Sequence, residues 1–287
     1  MADKEVAEPS RTMVGGRNLP LAIGVGLVLA AIFLGSLFGS ALAFTAVVVA
    51  FASVACVEVA RVLRPTAKAP IAPVLVATSV LLIPATAQLG PSGQAAGTAA
   101  LAGGTVLWML FDRNRTMVLS RVSSTVLFGL WLPFLASFAM LLRRLDDGAI
   151  AVLIVIGAAI FTDIGGYAFG VAFGKHKVAP QVSPNKSWEG LIGGLVVAGT
   201  LAAVIVPMLT DTITPLGAIV VATICGVAGF IGDLFESMIK RDLDIKDLGA
   251  LLPGHGGVLD RVDGILFALP VGYYTITTLN DFAWFSP

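Results

Sequence analysis

The sequence predicts an all-α integral membrane protein of about nine transmembrane helices, with a cytoplasmic N-terminus and a C-terminus on the opposite side. Three observations predict it. The 287 residues are 57% hydrophobic and 13% charged, with a mean hydropathy of +0.93, too apolar for a soluble domain of this length. The few charges are gathered together and leave long charge-free runs. Lys and Arg then fall almost wholly on one side of the helices that those runs predict.

The charge-free runs are 18–57, 69–111, 122–142, 148–162, 190–210, 212–232 and 264–280. A spanning helix needs about 20 apolar residues. The first two runs are long enough for two helices each, and each has a turn signal at its middle, GSLFGS at 35–40 and GPSG at 90–93. The other five give one helix each, with the 148–162 helix continuing through Asp163 to about Gly174. Spanning strands are disfavoured because the runs are continuous rather than alternating. The resulting organisation is a polar tail at 1–17, helices one to five over 18–146, and helices six to nine with their charged loops over 147–287.

With nine helices, the N-terminus and the even-numbered loops share a side. That side holds 16 of the 18 basic residues, and the other holds Arg143 and Arg144. Adding or removing one helix scrambles the split. Residues 41–43 read ALA, similar to a signal-peptidase site, but the apolar run continues past it and the first helix is read as retained. Cys56 and Cys225 both fall within predicted helices, so no disulfide is indicated. Equal numbers of acidic and basic residues give no reason to expect nucleic acid as a partner.

Most remaining charge lies in two blocks, Asp163 to Glu189 and Asp233 to Asp263. In GDLFESMIKRD, Asp233, Glu236, Ser237 and Lys240 stand at i, i+3, i+4 and i+7, one helical stripe. Lipid cannot solvate such a stripe, so it faces protein or water. A helix end whose acid and base simply pair with each other is the competing reading. LDIKDLGALLPGHGG follows, where glycines beside His255 suit backbone held close to an anion; an ordinary tight turn would need no His. In VLDRVDG, Asp260 and Asp263 share a face at i, i+3. Two carboxylates this close repel unless a cation sits with them. Arg261, about 100° around the helix, is one candidate and a divalent metal is the other. An oxygen-only set drawn from Asp233, Asp247, Asp260 and Asp263 suits Mg²⁺ together with substrate phosphates.

The first block reads FTDIGGYAFGVAFGKHKVAPQVSPNKSWEG. Asp163 and Tyr167 are i, i+4. Gly165, Gly166, Gly170 and Gly174 make a small-residue face suited to close helix packing. Lys175, Lys177 and Trp188 read equally well as membrane-interface anchors. Ser183, Asn185, Lys186, Ser187 and Glu189 offer groups for phosphate or a base edge.

Ser237 to Asp263, SMIKRDLDIKDLGALLPGHGGVLDRVD, resembles the phosphatidate cytidylyltransferases (CDP-diacylglycerol synthases). Their pattern runs S-x-x-K-R, K-D, P-G-H-G-G, D-R-x-D. The matching positions are Ser237, Lys240, Arg241, Lys246, Asp247, His255, Gly256, Gly257, Asp260, Arg261 and Asp263. GDLFES, SPNKSWEG and DIGGYAFG also look like accompanying motifs. Asn185 stands where the family usually has a basic residue, Ser187 where it has Thr, and Gly166 where it often has Ala. The resemblance is strong over the C-terminal half. It implies transfer of the cytidylyl group of CTP to phosphatidic acid, giving CDP-diacylglycerol and pyrophosphate. It implies Mg²⁺ held by Asp233, Asp260 and Asp263, is compatible with K⁺ as a second cation, and implies a homodimer in the cell (inner) membrane.

The residue chemistry agrees. Both substrates are anions, so metal and basic groups must neutralise and align them. The second proton of a phosphate monoester leaves near about pH 6, so the lipid nucleophile needs little general base, and a site rich in Asp with only two His is consistent with that. His255 is assigned to orienting phosphate or the loop. Two rival readings are compatible with parts of the sequence. A cation-coupled transporter would use intramembrane carboxylates, but its site would sit at the midplane between repeated halves. A CDP-alcohol phosphotransferase shares D-x-x-D-G but lacks its continuation here, since ILFALP follows.

Overall fold

In a computed structural model the described residues are 13–14, 17–66, 68–113, 116–245, 247–249 and 257–280. Among them are nine helical segments: α1 Leu19–Phe38, α2 Ala41–Leu63, α3 Ala72–Leu89, α4 Pro91–Phe111, α5 Val118–Arg143, α6 Gly148–Phe173, α7 Trp188–Leu209, α8 Pro215–Asp242 and α9 Leu259–Asn280. Eight of them, α2 to α9, are long and apolar enough to cross a membrane. The protein is an all-α multi-pass membrane protein, as the charge-free runs require. The breaks fall at the glycine signals. Ser40 caps α2 by accepting the Ala43 N–H, and Gly90, at φ 64°, separates α3 from α4.

The helices outlast the apolar runs. α2 continues to Leu63 and α8 to Asp242. The 28 residues of α8 span about 42 Å, more than a hydrocarbon core of about 30 Å. That length leaves room for its last turns, which carry Asp233 to Lys240, to stand outside the lipid. α5 contains a π-helical turn at Leu130–Phe134, with Pro133 inside it. Trp131 on that turn stacks against Phe128 and meets Phe235 of α8 edge-on at 4.8 Å. Phe235 also meets Phe267 of α9. The main buried cluster runs through α2, α3, α5, α6, α8 and α9. Cys56 and Cys225 are both free and buried.

Two short antiparallel hairpins complete the described structure, β1 Met13–Val14 with β2 Arg17–Asn18, and β3 Lys177–Ala179 with β4 Ser183–Ser187. The sequence pattern reads as a loop at SPNKS, whereas the structure makes Ser183–Ser187 a strand of the second hairpin. Its strands are too short to show an alternating pattern. It is fixed from both ends, because Ser187 caps α7 by accepting the Gly190 N–H and Arg241 Nε donates to the Val182 carbonyl.

Candidate active site

The site is built where α6, α8 and α9 converge beside β4. Close approach of α8 and α9 depends on glycine. A Cβ on Gly264 would lie 2.9 Å from the Gly229 carbonyl oxygen, and one on Gly232 would lie 2.8 Å from the Asp263 carbonyl oxygen. Small residues let membrane helices meet backbone to backbone. α6 and α7 use the same device, since a Cβ on Gly165 would lie 3.0 Å from Gly194 Cα; the small-residue face read from the sequence is a packing face. Gly264→Leu is expected to lower the thermal midpoint in detergent and to reduce turnover more than about ten-fold. Wild-type values for both would show that the contact does not set the site.

One turn above the glycines the carboxylates gather. A cavity of about 350 Å³ is lined by Thr162 and Asp163 of α6, Lys186 of β4, Asp233, Glu236 and Lys240 of α8, and Asp260, Arg261 and Asp263 of α9. Lys240 Nζ donates to Asp260 Oδ1 at 3.1 Å and lies 3.4 Å from Glu236 Oε1. Lys186 pairs with Asp233 and lies 4.3 Å from the centre of the Phe230 ring. Ser237 Oγ is 3.5 Å from Asp233 Oδ1. Asp260 reaches back to the preceding loop, where its oxygens accept the Leu248 N–H at 3.2 Å and the Gly257 N–H at 2.9 Å.

Other expected site residues stand apart from this cavity. Tyr167 is 76% exposed on α6. Ser187 is buried as the α7 cap, and Glu189 accepts from the Lys175 and His176 backbone and pairs with the His176 ring. Both shape the hairpin that presents Lys186. Ser183 and Asn185 lie on the hairpin, and Arg241 holds it. Asp247 is exposed and does not line the cavity, because the next residue, Leu248, turns inward and is fully buried. Lys246, His255 and Gly256 lie outside the described residues.

Sequence reasoning missed Thr162, Phe230 and Glu58. Glu58 is buried on α2 and accepts the Val258 N–H at 2.7 Å. A signal for it existed, since it is the one acidic residue between 18 and 111.

Among the described residues, no three His, Cys, Asp or Glu side chains stand at a spacing that would itself hold a metal ion; the lysines bridge the carboxylates instead. The chemistry of the donors nevertheless fits a hard cation. Five carboxyl side chains (Asp163, Asp233, Glu236, Asp260, Asp263) face Lys186, Lys240 and Arg261. The donors are all oxygens, and buried Glu236 Oε1 has the Lys240 ion pair at 3.4 Å but no hydrogen bond.

A second cavity, of about 630 Å³, adjoins the first. Its walls are apolar and come from α1, α2, α5, α6, α7 and α9. The two cavities share Ile160, Arg261 and Ile265.

Comparison with known proteins shows the family of the chain. The model of the cytidylyltransferase family matches residues 21–279. A phosphatidate cytidylyltransferase of Mycobacterium leprae (strain TN) is 36% identical over 280 residues, covering 92% of this chain and 89% of its own. One of Mycobacterium bovis is 35% identical over 283 residues, covering 94% and 92%. One of Haemophilus influenzae is 45% identical over 127 residues, covering 43% of each chain. Matches of this extent, over a membrane-helix bundle with a clustered carboxylate site, establish that the chain belongs to the cytidylyltransferase family of nucleotidyltransferase enzymes.

Proposed function

We propose that the protein transfers the cytidylyl group of CTP to phosphatidic acid, releasing pyrophosphate, at the cytoplasmic face of the cell membrane. The observation that carries this reading is the junction of the two cavities at Arg261. A lipid phosphate resting on Arg261 would have the carboxylate and lysine cavity on one side and an apolar chamber for an acyl chain on the other. On α7 that chamber runs from Ala198 to Leu209, about 16 Å of helix. The family match favours neither the transporter nor the CDP-alcohol phosphotransferase reading.

The residues divide the work. Lys186, Lys240 and Arg261 offset the repulsion between two anionic substrates. A guanidinium grips phosphate through paired donors, which suits Arg261 to orient the lipid phosphate for in-line attack on the α-phosphorus. Glycine at 257 lets the backbone close onto Gly249 and Asp260, where a Cβ would lie 2.8 Å from Asp260 Oδ2. Asp233, Asp260 and Asp263 would hold Mg²⁺, which supplies charge neutralisation and alignment of the triphosphate when bound. K⁺ as a second cation and a homodimer belong to the same reading.

The test uses the full chain in mixed micelles with phosphatidate and α-labelled CTP, with and without Mg²⁺. Label entering the lipid phase with pyrophosphate release, dependent on Mg²⁺, is the expected result. No label in lipid from protein shown to be folded would sink the reading. The chamber has its own check. Ala202→Phe is expected to raise KM for long-chain phosphatidate about ten-fold, to act less on short-chain lipid, and to leave KM for CTP unchanged. Equal effects on both chain lengths would place the acyl chain elsewhere.

A further inference from the structure

A buried carboxylate of the N-terminal half reaches the segments that lead into α9. Glu58 lies near the end of α2 and is 3% exposed. Its Oε2 accepts the Val258 N–H at 2.7 Å, across 200 positions of sequence. Its carboxylate also rests on Gly249, where any Cβ would overlap it. Val258 occupies the capping position of α9, because its carbonyl accepts the Arg261 N–H. The N–H of a capping residue is commonly taken by a Glu or Gln at the third helical position. Here Arg261 stands at that position, and Glu58 supplies the acceptor from another helix. A buried carboxylate is costly unless it is bound, and the positive end of α9 favours one at this place. Asp260 holds the neighbouring residues of the same two segments, through the Gly257 and Leu248 N–H groups.

We infer that Glu58 is a positioning residue for the cytidylyl transfer: it clamps residues 249 and 258 onto α2 and so sets where Asp260 and Asp263 stand relative to α8. The inference rests on the transfer reading above. Without the clamp, Asp260, which already faces the cavity, is left to hold the Leu248 and Gly257 segments without Glu58. The carboxylates of α9 then drift against those of α8, while the nucleotide groups on the hairpin stay in place.

The test compares Glu58→Gln, Glu58→Asp, Glu58→Leu and Gly249→Ala in the full chain, each checked for folding by size exclusion. Gln keeps the reach and an acceptor oxygen; Asp keeps the charge but is one methylene short. Glu58→Gln is expected to keep kcat within about three-fold, the scale of one hydrogen bond retained in altered form. Glu58→Asp and Gly249→Ala are expected to lose about ten-fold or more in kcat, and Glu58→Leu about a hundred-fold, the scale of a misplacement near 1 Å. KM for CTP should stay within a factor of about two, because uniform binding is untouched. Hydrogen exchange should quicken at 257–262 in the Asp and Leu variants and stay unchanged in α7. Wild-type kcat per folded enzyme in Glu58→Asp, or an active Asp variant beside an inactive Gln variant, would overturn the clamp. If the Leu variant does not fold, the contrast of Gln with Asp decides. If the wild type itself transfers no label, the transfer reading fails, and the exchange measurement still tests the clamp.

Discussion

Asp263→Asn is expected to fold as the wild type does and to lose about a thousand-fold in kcat, the upper scale for removing one charge-stabilising group from a preorganised site. The backbone at Asp263 is placed by the packing of Gly232 against its carbonyl and by the Gly229–Gly264 contact, neither of which involves the carboxylate. Its side chain adjoins Asp233 and Glu236 at the cavity wall. Asn preserves shape and one acceptor oxygen while removing the negative charge, so the substitution separates charge from packing. Label transfer, measured beside size exclusion and the thermal midpoint, checks it. A folded Asn variant within about ten-fold of wild type would remove Asp263 from the proposed set of metal-holding residues.

Lys240→Met should act on both stability and turnover. Lys240 joins Glu236 of its own helix to Asp260 of α9, and the three side chains are 18%, 1% and 6% exposed. Removing one partner of a buried ion pair leaves the others uncompensated and costs about 3–5 kcal/mol. The thermal midpoint in detergent should therefore fall steeply. Turnover per folded enzyme should fall as well, because Asp260 loses the donor that ties it to α8 and keeps those of the preceding loop. The double variant Lys240→Met with Glu236→Gln separates the two effects. It is expected to regain part of the midpoint, since the carboxyl that faced Lys240 goes with it, and to regain little activity. A single Met variant as stable as wild type would show that Lys240 does not tie α8 to α9.

The helices were legible because a bilayer offers no hydrogen bonds to the backbone, so each crossing must be a continuous apolar helix. The run from 18 to 57 split at Gly39–Ser40, and the run from 69 to 111 split at Gly90, where the turn residues stood. The ends were less legible. α8 extends to Asp242, ten residues beyond the apolar run that announced it. Past the lipid, helix propensity and packing decide the length, and hydropathy is silent there. The carboxylate stripes were legible within each helix, because spacing fixes facing to within a fraction of a turn. Tyr167 shows the limit of that reasoning. It shares a stripe with Asp163, yet Asp163 lines the cavity and Tyr167 does not; at that turn of α6 it is Gly166, Phe169 and Gly170 that pack on α7, and Tyr167 is exposed.

By itself the sequence determined the nine helices, the one-sided distribution of Lys and Arg, the polar stripes of α8 and α9, and the motif that places the chain in its family. Only the tertiary structure decided that Lys240 bridges Glu236 to Asp260, that Asp247 turns outward, that Arg261 lies between a polar and an apolar cavity, and that Glu58 reaches Val258 from α2. The physical reason is the same in each case. Periodicity orients residues within a helix, but apolar surfaces in a bilayer are nearly interchangeable, so composition does not name a helix's neighbour. That choice is made by backbone contacts such as Gly229 on Gly264 and by buried polar groups, each of which has to find its partner.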